Sequence, residues 1–273
     1  MFFYNKDSGA AASGTLNTEG NYSHLKDLGE FGKWTNIVPL DGARLFFYNS
    51  DLKAAAVGRI EADGEFTHLK DFPNGQFGQW SSIVPLEAGL LFFYDFESRA
   101  AASGMMNADD GYTHLKSFPG GQFGQYSHIV GLLGGRLFFY NHDSQTGASG
   151  KLSADGDYFH LKHFADQQLR QWTHVSPVGG GRLFFYDSLL RAAASGKVGA
   201  DGEYTSLKNF PSGQFGQWTN ITTVDRSRLF FYRESNNAGL SAAASGEVEA
   251  DGEYHNLKDF SAGQFAAWTM IVG

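Results

Sequence analysis

The chain contains no cysteine, only six prolines in 273 residues, and fewer basic than acidic side chains, 21 against 29. Without cysteine there is neither a disulfide framework nor thiolate chemistry, and the fold tolerates a reducing compartment. A formal charge of −8 offers no basic footprint for a phosphate backbone, so nucleic acid is not expected as a partner. No apolar run approaches the ~20 residues of a membrane-spanning helix, and the N-terminus lacks a basic segment followed by an apolar one. No membrane insertion is therefore expected, and the location is read as cytoplasmic, or outside the cell by release without a classical signal peptide. No segment sustains a helical period. Catalytic signatures such as GxSxG, HExxH or a phosphate-cradling loop are absent, and no cofactor is implied.

Against these absences stands a repeat. Phe-Phe-Tyr begins at residues 2, 46, 92, 138, 184 and 230, with spacings of 44, 46, 46, 46 and 46 residues. The second copy shows the unit: Trp34 to Val38, a glycine-containing turn, Leu45-Phe46-Phe47-Tyr48, a polar loop, Ala54 to Ile60, Asp63-Gly64, Phe66 to Lys70, and a linker from Phe72 to Gln79. This reads as four short strands with turn chemistry between them. Asp63-Gly64, Asp155-Gly156, Asp201-Gly202 and Asp251-Gly252 suit the positive φ of tight hairpins, while the third copy has Asp109-Asp110-Gly111, its glycine displaced by one position. Four antiparallel strands at this period predict an all-β, six-bladed β-propeller, one domain over 1–273. The chain opens on the second strand of a unit, Phe2-Phe3-Tyr4, and ends on a first strand, Trp268 to Val272. Pairing the two would close the ring and remove an open sheet edge.

Aromatic residues make up 15% of the chain, and most are expected in the core. Phe46 and Phe47 would face different neighbouring blades, because side chains alternate along a strand. His68-Leu69-Lys70 and its equivalents read as a solvated outer strand whose lysine deters edge pairing or holds an acidic neighbour. The position two after the tryptophan is Asn36, Ser82, His128, His174, Asn220 or Met270, variety that argues against one shared chemical role. Ligand spacing for a metal is not evident, so no metal is expected.

The linker carries more chemistry than its geometry requires. Phe72 to Trp80 recurs as Phe118 to Tyr126 and Phe210 to Trp218, each with two glutamines and two further aromatics. Aromatic faces stack on sugar C–H faces, and amides donate to and accept from hydroxyls. The candidate sugar-binding residues are therefore Gln76, Phe77, Gln79 and Trp80, with Gln122, Phe123, Gln125 and Tyr126, and with Gln214, Phe215, Gln217 and Trp218. Asn49, Asp95 and Asp187 of the adjoining loops join them. The alternative is that the glutamines cap local backbone and Phe77 plugs the blade interface. The first, fourth and sixth linkers depart from the pattern, with Glu30 and Lys33, Leu169-Arg170, and Ala267 at the affected positions, and are expected to be weaker or silent.

A Trp-led first strand, a glycine turn, the LFFY second strand, a small-residue third strand and a closing fourth resemble the tachylectin-2-like β-propeller lectins. That resemblance implies pockets between blades for N-acetylated amino sugars. The expected function is thus a multivalent lectin without catalytic activity, binding glycans or glycoconjugates through repeated sites that gain avidity on one disc. The alternatives are a protein-interaction scaffold, or a designed or amplified repeat protein without a ligand; a hydrolase is the weakest. The sugar and the oligomeric state stay open at this level.

Overall fold

The computed structural model describes residues 1–165, 168–235 and 241–273. They form six four-stranded antiparallel sheets whose innermost strands neighbour one another in a ring, the expected β-propeller. Blade 2, for example, runs outwards from the axis through Asn36–Pro39, Arg44–Asn49, Ala54–Ile60 and Phe66–Phe72. Blades 3 to 6 follow the same order, and one short 3-10 turn, Glu87–Gly89, interrupts the all-β pattern. Blade 1 is completed by the C-terminal strand Met270–Val272, which pairs Phe2 with Val272, Phe3 with Ile271 and Tyr4 with Met270. The ring is sealed by backbone hydrogen bonds between its two ends.

The Phe-Phe-Tyr strand holds neighbouring blades together because both its faces are apolar. Phe46 and Tyr48 pack with Leu91 and Phe93 of blade 3, whereas Leu45 and Phe47 pack with Phe2 and Tyr4 of blade 1. The phenyl rings meet edge to face, Phe46 with Phe93 at 6.3 Å and Phe2 with Phe47 at 5.6 Å. Each buried ring contributes about 1.5–3 kcal/mol of burial. The tyrosine adds a polar lock. Tyr48 Oη donates to the Gly78 carbonyl at 2.6 Å and accepts from the Trp80 amide at 3.1 Å, fixing the linker into the next blade. All six copies do this, at Tyr4, Tyr48, Tyr94, Tyr140, Tyr186 and Tyr232.

The glycine turns between third and fourth strands are seated by a second inter-blade bond. Ser13, Ser103, Ser149, Ser195 and Ser245, all fully buried, donate from Oγ to the carbonyl of Gly64, Gly156, Gly202, Gly252 and Gly20 in the following blade, at 2.7 or 2.8 Å. Gly64 has φ +90°, and a Cβ there would lie 2.6 Å from Ser13 Oγ and 2.5 Å from Leu25 Cβ, so both backbone and space demand glycine. Blade 2 has Val57 in place of the serine, and the turn it faces is the irregular Asp109-Asp110-Gly111, where Asp110 takes φ +63°. The displaced glycine thus coincides with the missing hydroxyl.

Outer-strand lysines hold acidic neighbours, as anticipated: Lys26, Lys116, Lys162 and Lys208 pair with Glu65, Asp157, Glu203 and Glu253 of the next blade. These pairs are exposed and contribute little individually.

Candidate active site at the linker-face mouth of the channel

Hairpin alternation places the interblade linkers and the second-to-third-strand loops on one face of the disc, and the glycine turns on the other. The linker phenyl groups point inwards. Phe77, Phe123 and Phe215 are buried, with Phe77 edge to face against Phe46 and Phe72 and tilted against Tyr112, at ring distances of 5.6, 5.7 and 4.8 Å. These rings plug the blade interface and present no face to a ligand. Trp80, Tyr126 and Trp218 are half-buried against Phe93, Phe139 and Phe231. Gln76, Gln79, Gln122, Gln125, Gln214 and Gln217 are exposed. The three loop residues serve their own loops. Asn49 accepts from the Leu52 amide and donates to the Lys33 carbonyl, Asp187 accepts from the amides of Leu189 and Leu190, and Asp95 accepts from Ser98.

Four of the side chains two after the tryptophan bridge neighbouring blades. Asn36 Nδ2 donates to the Ser81 carbonyl of blade 3 at 3.4 Å, and Asn220 Nδ2 to the Thr269 carbonyl of blade 1 at 3.3 Å. His128 and His174 make the same bridge, from Nε2 to the carbonyls of Thr173 and Thr219, each at 3.0 Å. Their Nδ1 atoms lie 2.9 Å from Ser127 Oγ and Thr173 Oγ1, as Asn36 Oδ1 lies 3.1 Å from Thr35 Oγ1. Histidine therefore reproduces the donor and acceptor pattern of asparagine, and a carbonyl partner requires its Nε2–H tautomer. The role is shared by four residues of two types. What sequence reasoning missed is that asparagine and imidazole are interchangeable here; Ser82 is too short to make the bridge and Met270 has no donor.

Around blade 4 the repeat breaks further. His142, on the loop after the second strand, places Nδ1 2.8 Å from the Trp172 carbonyl, and its Nε2 lies 3.2 Å from the exposed Gln171 amide nitrogen. The carbonyl makes Nδ1 the donor, so Nε2 carries the lone pair on the outward side. His142 and His174 both stand near His128. Burial lowers the pKa of His128 and of His174, opposed in each by the hydrogen bond to the backbone carbonyl. Two imidazoles thus bridge blades on the face that carries His142, whose Nε2 meets the Gln171 amide. Behind this mouth the channel is a cavity of about 260 Å³ walled by Ile37, Ile83, Ile129, Val175 and Ile221, and it opens at the far face into a funnel of about 500 Å³. Among the described residues, no three His, Asp or Glu side chains gather to hold a metal ion.

No protein-family model matches the chain, and no curated protein matches it in sequence. Solved structures do resemble it. The periplasmic gluconolactonase of Pseudomonas aeruginosa superposes with a TM-score of 0.59 at 13% identity, over 96% of this chain and 82% of its own. Virginiamycin B lyase of Staphylococcus aureus gives 0.51 at 14% identity, over 96% and 80%. A protein of Lactobacillus plantarum gives 0.62 at 17% identity, over 95% and 81%. At these identities the likeness establishes the fold. The expectation of a non-catalytic lectin is corrected by these comparisons, since the two neighbours named above by their activity, a gluconolactonase and a lyase, are enzymes and not lectins. Of the tachylectin-2-like resemblance only the β-propeller architecture is shown, here with six blades. The linker aromatics Phe77, Phe123 and Phe215, on which the lectin expectation leaned, are buried between blades.

Proposed function

We propose that the protein is an enzyme that opens a small cyclic ester by general acid–base catalysis at the linker-face mouth, with His142 as the base. The observation that carries the reading is the His142 imidazole, whose Nδ1 proton is committed to the Trp172 carbonyl and whose Nε2 is countered only by the exposed Gln171 amide. A backbone carbonyl that fixes the tautomer and leaves the second nitrogen basic is the arrangement a general base needs. In the hydrolytic step Nε2 takes a proton from water as its oxygen adds to the ester carbonyl. The ring C–O bond then breaks, and the same proton passes to the departing alkoxide. Gln171, whose N–H donates to the Nε2 lone pair in the resting structure, releases it when water enters and then offers the N–H beside the reacting centre. The lactonase activity named for the Pseudomonas neighbour supports the substrate class.

The test is acid release from a lactone panel that includes glucono-δ-lactone, with wild type and His142→Gln. The variant is expected to lose about 10²- to 10⁴-fold in kcat/KM. Equal rates for the two proteins, or no opening of any lactone above background, would refute the reading. Product mass separates hydrolysis, which adds water, from an elimination started by the same base, the chemistry suggested by the lyase neighbour.

A further inference from the structure

On the opposite face, the residue before Leu-Phe-Phe-Tyr is arginine in four blades, Arg44, Arg136, Arg182 and Arg228. Each reaches across the seam to the end of the third strand in the next blade. Arg44 Nη1 donates to the Asn107 carbonyl at 2.9 Å and Arg182 Nη1 to the Val248 carbonyl at 2.8 Å. Arg136 Nη1 donates to the carbonyls of Val198 and Gly199 at 2.6 Å, and Arg228 Nη1 to those of Leu16 and Asn17. Two of the four also pair with a carboxylate three residues earlier, Arg44 with Asp41 and Arg228 with Asp225.

Blade 3 carries the carboxylate and the facing carbonyls but not the arginine. Its residue at this position is Leu90, buried in the core between blades 3 and 4. Glu87 stands three residues earlier, where Asp41 and Asp225 stand in their blades, and accepts from the Gly134 amide through Oε2 at 2.6 Å. The carbonyls equivalent to those of Val198 and Gly199 belong to Leu152 and Ser153, and among the described residues no side chain donates to them. Between them lies a cavity of about 420 Å³ walled by Glu87, Leu90, Lys151, Leu152 and Ser153. At the 2→3 seam a cavity of about 510 Å³ has Arg44 in its wall, so there the guanidinium is supplied by the chain itself.

The structure assigns the cavity between blades 3 and 4 as a binding site for a guanidinium-bearing ligand. The recognition elements are those of the arginine seams: a third-strand carbonyl facing a planar N–H donor in all four, a second carbonyl beside it at Arg136 and Arg228, and a carboxylate three residues earlier at Arg44 and Arg228. Lys151 does not oppose this, because Lys197 occupies the same position at the seam that holds Arg136. A simple ammonium would offer a point charge without the planar fork and should bind less well. The site lies on the face opposite His142 and is independent of the proposed catalysis.

The experiment is calorimetric titration of the whole protein with agmatine, and with n-pentylamine as the ammonium comparison. Wild type is expected to bind agmatine in preference to the amine. Leu90→Arg, which places the chain's own guanidinium in the seam, is expected to abolish binding while keeping the fold. Glu87→Gln is expected to weaken agmatine about ten- to a hundred-fold, the loss of one charge-assisted partner, and it decides the matter if Leu90→Arg does not fold. No binding of agmatine at millimolar concentration, undiminished binding to Leu90→Arg, or undiminished binding to Glu87→Gln would each overturn the assignment.

Discussion

Tyr48 Oη lies 2.6 Å from the carbonyl oxygen of Gly78, and this contact joins the second strand of one blade to the linker that begins the next. The ring of Tyr48 is fully buried, so its hydroxyl is held in a place where water cannot replace it. Removing the hydroxyl leaves the Gly78 carbonyl and the Trp80 amide without their shared partner. Tyr48→Phe is expected to destabilise the protein by about 1–3 kcal/mol, read as a shift in the urea midpoint at unchanged m-value. A change below a few tenths of a kcal/mol would show that the hydroxyl is dispensable.

The same burial makes stability fall in alkali. Burial raises the pKa of Tyr48, Tyr94, Tyr140 and Tyr186, and pushes Tyr22 and Tyr204 up to about 12. A phenol in the unfolded chain ionises near 10. Above that pH the unfolded state releases protons that the folded state retains, so the stability contributed by the neutral phenols is full below pH ~10 and is lost as the pH rises through the folded values. Tm is expected to drop steeply between pH 10 and 12, with tyrosinate absorbance appearing together with unfolding. Tyrosinate absorbance that develops near pH 10 while the protein stays folded would contradict this.

An acid limb should come from the two bridging histidines. Their folded pKa values are depressed by burial, so their contribution is full above the unfolded value near 6.5 and is lost as the pH falls through the folded values. Asparagine makes the same bridge at Asn36 and Asn220. The double variant His128→Asn, His174→Asn should therefore fold normally and show a smaller drop in Tm between pH 7 and pH 5 than wild type. An identical acid profile would place the sensitivity elsewhere.

Two glycines with similar backbone angles separate strain from crowding. Gly202 has φ +86° and its Cβ would lie 2.5 Å from both Leu161 Cβ and Ser149 Oγ, whereas Gly213 has φ +81° with nothing within 4 Å. Gly213→Ala should cost only the left-handed penalty, about 1–2 kcal/mol. Gly202→Ala should cost clearly more, because the inter-blade serine bond must also give way. Equal losses in chemical denaturation would remove crowding as a cause.

Much of the architecture was legible before any coordinates. The spacing of Phe-Phe-Tyr implied the blades, its doubly apolar character implied strands packed on both sides, and the complementary ends implied closure. The linker misled because a buried plug and a binding platform call for the same residues: Phe77 and its equivalents are aromatic and repeated in either case. The bridging position misled in the opposite sense, since Asn36 and His128 look unlike in sequence and do the same thing in space. The run Arg-Leu-Phe-Phe-Tyr, set against Leu90-Leu91-Phe92-Phe93-Tyr94, was a visible signal whose meaning depended on knowing what each arginine reaches.

From the amino-acid order alone come the number of blades, the strand pattern and the faces that must be buried, because these depend on local periodicity and on the two-residue alternation of a strand. Which polar groups meet across a seam was decided only in three dimensions. His142 meets the Trp172 carbonyl, and Arg136 meets Val198, at separations of 30 and 62 residues, because the sheets of consecutive blades pack face to face, and a hydrogen bond exists only where donor and acceptor are brought within about 3 Å.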